Sequence, residues 1–491
     1  MVRSHGSGCL LLGLTVIGST CQFHDEWSQK IALPPFNPQD DTVRRTQLLC
    51  ILAATAVVCV GASSARAQDF CFEAAVNYAT GTNPVSAAAA DLDADGDQDL
   101  AIANNSTGNV SVLKNKGDGT YATAVNYPAG SYPQSVAAAD LDGDGDIDLA
   151  VANFSSTNIS VLKNYGDGTY AAPVNYATGI QPFSVAAADL DGDGDKDLAV
   201  ANGIDNNVSV FMNYGDGTYA AAVNYAAGTG PRSVTAADLD GDGDQDLAVA
   251  SASSTNLPVL MNYGDGTYAA ASNYAVGSGC LSVVAADLDG DGDQDLAVAK
   301  VSTGNVLVLM NYGDGTYAVA IDYATGTNPV SVYAADLDGD GDQDLAVANR
   351  GSNTVSVLKN SGNGTYAAAG NHATGTYPTS VVATDVDGDG NQDLAVVNEG
   401  SHDVSVFLNC GAPACDCLLQ SDFDEDGFLT ALDSSVMIDI LFAGQPNVQD
   451  PLCPSPRADF DCDDFSTALD LSGLIDHLFA GGVGPCDPCA P

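Results

Sequence analysis

The sequence predicts a mainly-β protein: a seven-bladed β-propeller of four-stranded blades over residues 68–412, followed at 413–491 by a small α-helical, cysteine-rich domain with EF-hand-like loops. Three observations carry this reading. Near-copies of "DLDGDGDQDLAVA" begin at Asp91, Asp140, Asp189, Asp238, Asp287, Asp336 and Asp385, so the chain repeats every 49 residues without insertion. Each period holds four short apolar runs, rich in small and β-branched residues and bounded by Gly, Asp, Asn, Ser and Thr. The array also begins with a lone last quarter of a unit and ends with three quarters of one.

Within a unit, "SVAAADL" reads as the first strand, "DGDGD" as a loop, "DLAVAN" as the second strand, "NVSVLKN" as the third, "GDGT" as a tight turn and "YAAAVNY" as the fourth strand. Strands with so little polarity need cover on both faces. Seven equal sheets cover one another by stacking, and a radial stack leaves no exposed end. The alanine-rich first strand suits the crowded inner rim. A linear β-solenoid is the alternative, although its coils are usually shorter than this period. The seventh unit stops at "VSVFLNCG", and residues 70–78 supply the missing fourth strand. Phe72 then falls one period before Tyr121 and takes the core aromatic position held later by Tyr170, Tyr219, Tyr268, Tyr317 and Tyr366. Cys71 and Cys410 flank the one turn that is not covalent. A disulfide between them is expected, the alternative being pairing of Cys410 with Cys415 or Cys417.

With 14 Lys and Arg against 64 Asp and Glu, the formal charge is −50, which opposes nucleic acid and anionic membrane surfaces as partners. The acidity is local, because 34 of the acidic residues sit in the seven repeated loops. Arg44 and Arg45, the apolar run "LLCILAATAVVCVG" and "ASSARA" read as a secretory signal peptide over 43–67, cleaved after Ala67. The mature protein is therefore expected to be secreted or displayed at the cell surface. The run is about 14 residues, short for a membrane span. Residues 1–42 do not fit ahead of such a signal, and translation is expected to start at Val43. Six cysteines crowd the last eighty or so residues, a pattern that suggests disulfides in an exported chain.

Five carboxylates in nine residues repel one another unless a cation joins them. Asp at loop positions one, three, five and nine, Gly for the sharp turn and a backbone carbonyl at position seven make a hard oxygen cage suited to calcium. The ligand sets are Asp91, Asp93, Asp95 and Asp99; Asp140, Asp142, Asp144 and Asp148; Asp189, Asp191, Asp193 and Asp197; and Asp238, Asp240, Asp242 and Asp246. The remaining three are Asp287, Asp289, Asp291 and Asp295; Asp336, Asp338, Asp340 and Asp344; and Asp385, Asp387, Asp389 and Asp393. About seven structural calcium ions are expected. Ala94 in the first loop and Asn391 in the seventh are departures too small to abolish binding.

"DLDGDGDQDLAVAN" together with "NVSVLMNYGDGTY" resembles the FG-GAP/VCBS repeat of integrin α-subunit propellers and of many exported bacterial proteins. The resemblance covers about 70–412 and implies calcium loops on one face, between the first two strands of each blade. It also implies protein or glycan binding on the opposite face. There the units differ: the residue before the first strand's Ser runs Val85, Gln134, Phe183, Arg232, Leu281, Val330 and Thr379. Two positions earlier the series is Asn83, Tyr132, Gln181, Gly230, Gly279, Asn328 and Tyr377. Neutral drift is the alternative to specialisation. Tyr132, Phe183, Arg232 and Tyr377 are the candidate ligand-binding side chains, since aromatics and Arg dominate binding hot spots.

From residue 422, "DFDEDGFLTALD" and "DFDCDDFSTALD" are twelve-residue loops that place Asp422, Asp424, Asp426 and Asp433, and Asp459, Asp461, Asp463 and Asp470, at EF-hand positions. Each leads into an apolar-periodic helix. The duplicated arrangement is similar to a type I dockerin, which implies one or two further calcium ions and a cohesin-like partner. Ala431, Leu432, Ala468 and Leu469 replace the hydroxyl-bearing pairs of that family, leaving partner choice open. The sequence thus points to an exported calcium-binding module that binds or adheres to an extracellular protein or glycan, and not to an enzyme. The competing reading is a polysaccharide-degrading lyase or glycoside hydrolase on the same scaffold. Against it, the propeller has only Arg232 and Arg350, only His372 and His402, and scattered acids at Asp205, Asp322, Glu399 and Asp403.

Overall fold

The structure, a computed structural model, describes residues 70–411. The signal peptide and the EF-hand-like domain, with its eight Asp ligands, lie outside the described residues. Seven four-stranded antiparallel sheets form in chain order. In blade 2 the strands are Pro133–Ala139, Asp148–Asn153, Asn158–Leu162 and Val174–Ala177. The seventh sheet takes Pro378–Thr384, Asp393–Asn398 and Asp403–Phe407 from the end of the array and Val76–Ala79 from its beginning. Its closing register runs from Val76 opposite Val406 to Ala79 opposite Asp403. The solenoid alternative is thereby removed. Among the described residues no helix is long and apolar enough to cross a membrane.

The packing follows from the alternation in "DLAVAN". On a pleated strand successive side chains face opposite ways, so Leu and Val point to one neighbour and the two alanines to the other. Leu198 and Val200 of blade 3 pack on Ala150, Ala152, Ile159 and Val161 of blade 2. Ala199 and Ala201 receive Leu247 and Val249 of blade 4. Large against small is repeated at every interface, and blade 7 meets blade 1 the same way through Val397, Val404, Leu100 and Ile102. The core is therefore seven layers between blades.

Two rings of hydrogen bonds run across these layers. On the inner strands, Ser86 Oγ accepts from Val136 N at 3.3 Å, and the pattern returns to its start where Ala87 N donates to Ser380 Oγ at 3.4 Å. At the end of each third strand a buried Asn reaches the preceding blade. Asn164 Nδ2 donates to Leu92 O at 2.8 Å and Asn213 Nδ2 to Leu141 O at 2.8 Å, and the circle closes with Asn115 Nδ2 to Val386 O at 2.7 Å.

The fourth strands differ from the expected "YAAAVNY". The tyrosine meets the third strand only through a single bridge, as Tyr121 with Asn115, and the ladder resumes at Val125–Pro128. The N-terminal segment copies this: Phe72 bridges Asn409, and only Val76–Ala79 is strand. The fourth strands are also largely exposed rather than covered on both faces, because blades diverge outward and the outermost strand loses its neighbours. The bridging tyrosines are core residues as expected, and Tyr170 donates from its hydroxyl to Ile147 O at 3.2 Å. Cys71 and Cys410 are joined by a disulfide, with Cα atoms 5.3 Å apart.

Candidate functional site

Each Asp loop leaves the outer end of a first strand and is wound on its own carboxylates. In blade 2, Asp140 accepts Gly143 N at 2.8 Å and Gly145 N at 3.1 Å, one on each oxygen. Gly143 and Gly145 have φ of 77° and 93°, the left-handed region in which glycine is unstrained. Ala94 holds the same turn at φ 60°, and there Asp91 accepts Asp95 N instead. The position-nine carboxylate is buried completely: Asp148 accepts Leu141 N at 3.1 Å and Asn164 N at 2.7 Å. Burial raises the position-nine pKa to about 6 in Asp99, Asp148, Asp197, Asp246, Asp295 and Asp393, and to about 7 in Asp344.

Ligand oxygens converge in these loops closely enough to share one ion. In blades 1 to 4 the converging residues are positions one, three and nine, such as Asp140, Asp142 and Asp148; in blade 5 they are Asp287, Asp289 and Asp291. The acidic groups of the blades can hold a metal ion, and the unpaired oxygens fit one. Asp93 Oδ1, Asp142 Oδ1 and Asp240 Oδ1 are buried without a hydrogen-bond partner, an arrangement that is costly unless a cation completes it. In Asp191, Asp240, Asp289 and Asp387, burial and the neighbouring position-five carboxylate push the pKa up, so charge there is uncompensated by the protein.

Sequence reasoning missed a second layer to these loops. The penultimate residue of "VLKN" is Lys114, Lys163 and Lys359 in blades 1, 2 and 6, but Met212, Met261, Met310 and Leu408 elsewhere. Lys114 Nζ lies 3.1 Å from Asp93 Oδ2, and Lys163 Nζ 3.0 Å from Asp142 Oδ2. Lys359 contacts Asp338 and lies 3.0 Å from Asp340 Oδ2. From this position three loops thus receive an ammonium and four an apolar side chain, while the third loop carries the exposed Lys196 within its own sequence. The alternation was visible in the repeats once they were aligned by period.

The opposite end of each first strand is about 20 Å away, at roughly 3.3 Å per residue. In every blade the ladder between the first two strands slips there: Pro182 pairs with Asn202 and Ser184 with Ala201, leaving Phe183 unpaired as a bulge. Bulges re-aim the extra side chain. Val85, Gln134, Phe183, Arg232, Leu281, Val330 and Thr379 consequently all wall one depression of about 550 Å³, together with Phe154, Gln181, Arg350 and Glu399. Arg232 stacks on Phe183, its guanidinium carbon 3.7 Å from the ring centroid, and Phe154 meets Phe183 edge-on at 5.0 Å. Arg350 donates to Glu399 Oε2 from Nη2 at 2.6 Å and from Nε at 3.2 Å.

The four predicted binding residues are thereby split. Phe183 and Arg232 wall the central depression. Tyr377 stands at its edge, 53% exposed, with the Arg350 guanidinium 5.2 Å from its ring. Tyr132, 52% exposed, lines a separate depression of about 460 Å³ between the outer parts of blades 1 and 2, with Asn105, Asn158 and Asn175. Both tyrosines sit at positive φ, 59° and 57°, where Gly, Asn and, in the third unit, Gln181 stand elsewhere. The scattered acids are all engaged. Asp205 accepts Ile180 N, Asp322 the Asn305 amide, Asp403 the Asn398 amide, and Glu399 pairs with Arg350.

Six overlapping segments, 91–151, 140–200, 189–249, 238–298, 287–347 and 336–396, match the family model described as FG-GAP-like repeat. The chain belongs to this family. The FG-GAP match spans all seven Asp loops, with the last unit reached from the sixth segment. No curated protein matches the FG-GAP chain in sequence. Among solved structures, BBS1N in complex with ARL6DN is 14% identical, with 69% of this chain and 97% of that chain covered and a TM-score of 0.50. A lectin from Agrocybe aegerita, described by its recognition of non-reducing terminal N-acetylglucosamine, is 22% identical over 59% of this chain and 80% of that chain, with a TM-score of 0.43. Virginiamycin B lyase from Staphylococcus aureus, in an inactive form with quinupristin, is 12% identical over 69% and 99%, with a TM-score of 0.49. The likeness to BBS1N is one of fold alone. FG-GAP propellers of this kind suggest a binding module.

Proposed function

We propose that this protein is an exported binding module, a propeller held together by calcium at its Asp loops and recognising an extracellular protein or glycan at the mouth of its central channel. The observation that carries the proposal is the convergence of seven bulged side chains, one per blade, on a single depression. Otherwise near-identical units differ in chemistry at these positions, and also at the first residue of the loop between the second and third strands, where Asn105, Phe154, Arg350 and Glu399 line the same depression.

Calcium would be held by the position-one, -three, -five and -nine carboxylates, with a position-seven carbonyl. Four carboxylates and a carbonyl per loop, with no nitrogen or sulfur, favour calcium over zinc. Its chemistry is charge neutralisation: it relieves the buried, unpartnered carboxylate oxygens and fixes the loop between the first two strands. The segment at 413–491 completes the proposal as a dockerin-like attachment domain with one or two more calcium sites and a cohesin-like partner.

The test of the binding proposal is a screen of the purified chain, in calcium, against glycans and matrix proteins, run beside a polysaccharide-cleavage assay. Binding lost in Phe183→Ala and Arg232→Met variants of unchanged melting temperature supports the mouth as the site. Turnover with a defined bond specificity would replace this reading by the enzyme.

A further inference from the structure

Residues 70–411 contain two arginines, and both wall the same depression. In a chain of net charge −50 that coincidence requires an account. Arg350 is neutralised by Glu399, with two donors on one oxygen. Arg232 has no hydrogen bond or ion pair among the described residues; it only stacks on Phe183. The mouth therefore carries one uncompensated positive charge from its three charged side chains.

Stacking leaves a guanidinium's edge free. The Arg232 guanidinium carbon lies over the Phe183 ring at 3.7 Å from its centroid, and Phe154 braces Phe183 from the side at 5.0 Å. The five N–H donors of Arg232, none engaged among the described residues, lie in a fixed fork, the geometry that meets a carboxylate with two parallel hydrogen bonds. The surrounding wall partly desolvates Arg232 while more than a third of it stays open, so a charge-assisted bond there is less screened than at a flat surface.

Building on the proposed binding function, we infer that the channel mouth is a site for a saccharide unit bearing a single carboxylate, of the uronate class, with Arg232 as the carboxylate's partner. Size and polarity agree. A depression of about 550 Å³ matches a small ligand and falls within the roughly 300–1,000 Å³ usual for such sites. Gln134, Gln181 and Thr379 on the same wall offer donors and acceptors to hydroxyl groups. Long-range charge selects against the alternatives. A polyanion or an acidic protein would bring many negative charges against the net −50, whereas one carboxylate within a few ångströms of Arg232 meets the local field, inside a Debye length of about 8 Å.

The experiment titrates the full chain, in calcium, with glucuronate, with glucose and with an acidic peptide, by calorimetry and ligand-observed NMR. The expected result is binding of glucuronate at least about tenfold tighter than glucose, from a pair of hydrogen bonds to a charged group. Arg232→Met should remove that preference without changing the melting temperature, and Arg232→Lys, which keeps the charge but not the fork, should retain only part of it. Equal binding of glucose and glucuronate overturns this inference and leaves the binding-module reading standing. So does binding of the peptide but neither sugar, if it depends on Arg232. Should the mouth variants change no interaction of any ligand, including those found by the broader screen, both readings fall.

Discussion

Replacing both Cys71 and Cys410 by serine opens a cross-link that spans 339 residues of chain. In the chain-entropy treatment the bond restricts the unfolded ensemble by an amount that grows with the logarithm of the loop, which gives about 6 kcal/mol at room temperature for a loop this long. Native contacts at the seam remain after the change: the four-residue pairing of Val76–Ala79, the bond from Cys410 N to Cys71 O at 2.9 Å and that from Glu73 N to Leu408 O at 2.8 Å. These are individually worth about 1 kcal/mol, so the ring still closes but its closing strand frays. Measured losses for disulfides commonly fall short of the entropic figure, and a loss of about 2–5 kcal/mol is expected. The assay is urea denaturation of parent and double variant in calcium, followed by circular dichroism, with amide exchange as a local probe. Exchange at Val76–Ala79 should rise well before that at the buried second strand Asp99–Asn104. A loss below about 1 kcal/mol, or exchange that rises equally in both strands, would refute the idea that the cross-link, and not strand pairing alone, secures the ring.

Chelating calcium should lower the melting temperature sharply, since each site filled at a hundred times its Kd contributes about 2.7 kcal/mol; an unchanged melt removes the metal assignment. Calorimetric calcium titration should show two classes of loop, and converting Lys114, Lys163 and Lys359 to Met should merge them by raising the weaker class about tenfold, as expected for removing a nearby positive charge; unchanged isotherms speak against competition by the ammonium groups. Burial sets the position-nine carboxylates at about 6 in the folded protein, and Asp344 at about 7, against 3.8 unfolded. In chelator, their contribution to stability is complete below about pH 4 and disappears as pH rises through 6, because the folded state binds the proton more tightly. Calcium affinity should rise over the same interval, and melts in chelator that improve from pH 4.5 to 7 would contradict the sign. Asn262→Leu removes bonds of 2.7 Å to Leu190 O and 2.9 Å to Gln245 O, and a loss of about 2–3 kcal/mol by thermal denaturation is expected.

The architecture was legible because repetition multiplies weak signals: one "DLAVAN" is an ambiguous apolar run, but seven in phase fix strand, blade and ring together. Phe72 falling one period before Tyr121 was enough to place the closing strand, whereas the pairing of Cys410 stayed open in the sequence and is settled by the structure. The candidate binding site was legible only as a list of positions. That Phe183 and Arg232 share one depression while Tyr132 faces another depends on a one-residue slip in the ladder, which no propensity encodes. Arg350 and Glu399, which come from the loop between the second and third strands, meet the others only through the closure of the ring. The lysine and methionine alternation was in plain view, yet its meaning required knowing that the end of the third strand lies beneath the Asp loop.

The blade interface has two unlike sides, alanines and a carbonyl offered forward, leucines and an asparagine reaching back. Such a contact is heterologous, and an assembly built from it stays finite only because seven equal rotations complete a full turn. Near-identical coding segments are readily gained or lost by recombination, so the array is exposed to changes in its own copy number. A surplus or missing unit would leave every local contact intact and spoil only the last one. Unless the ring re-closes with a different blade number, an unpaired donor face and an unpaired acceptor face are left exposed, the two surfaces from which open head-to-tail assembly is built. Rotational closure is thus what keeps this protein a discrete particle, and it acts as a filter on how its repeats can multiply.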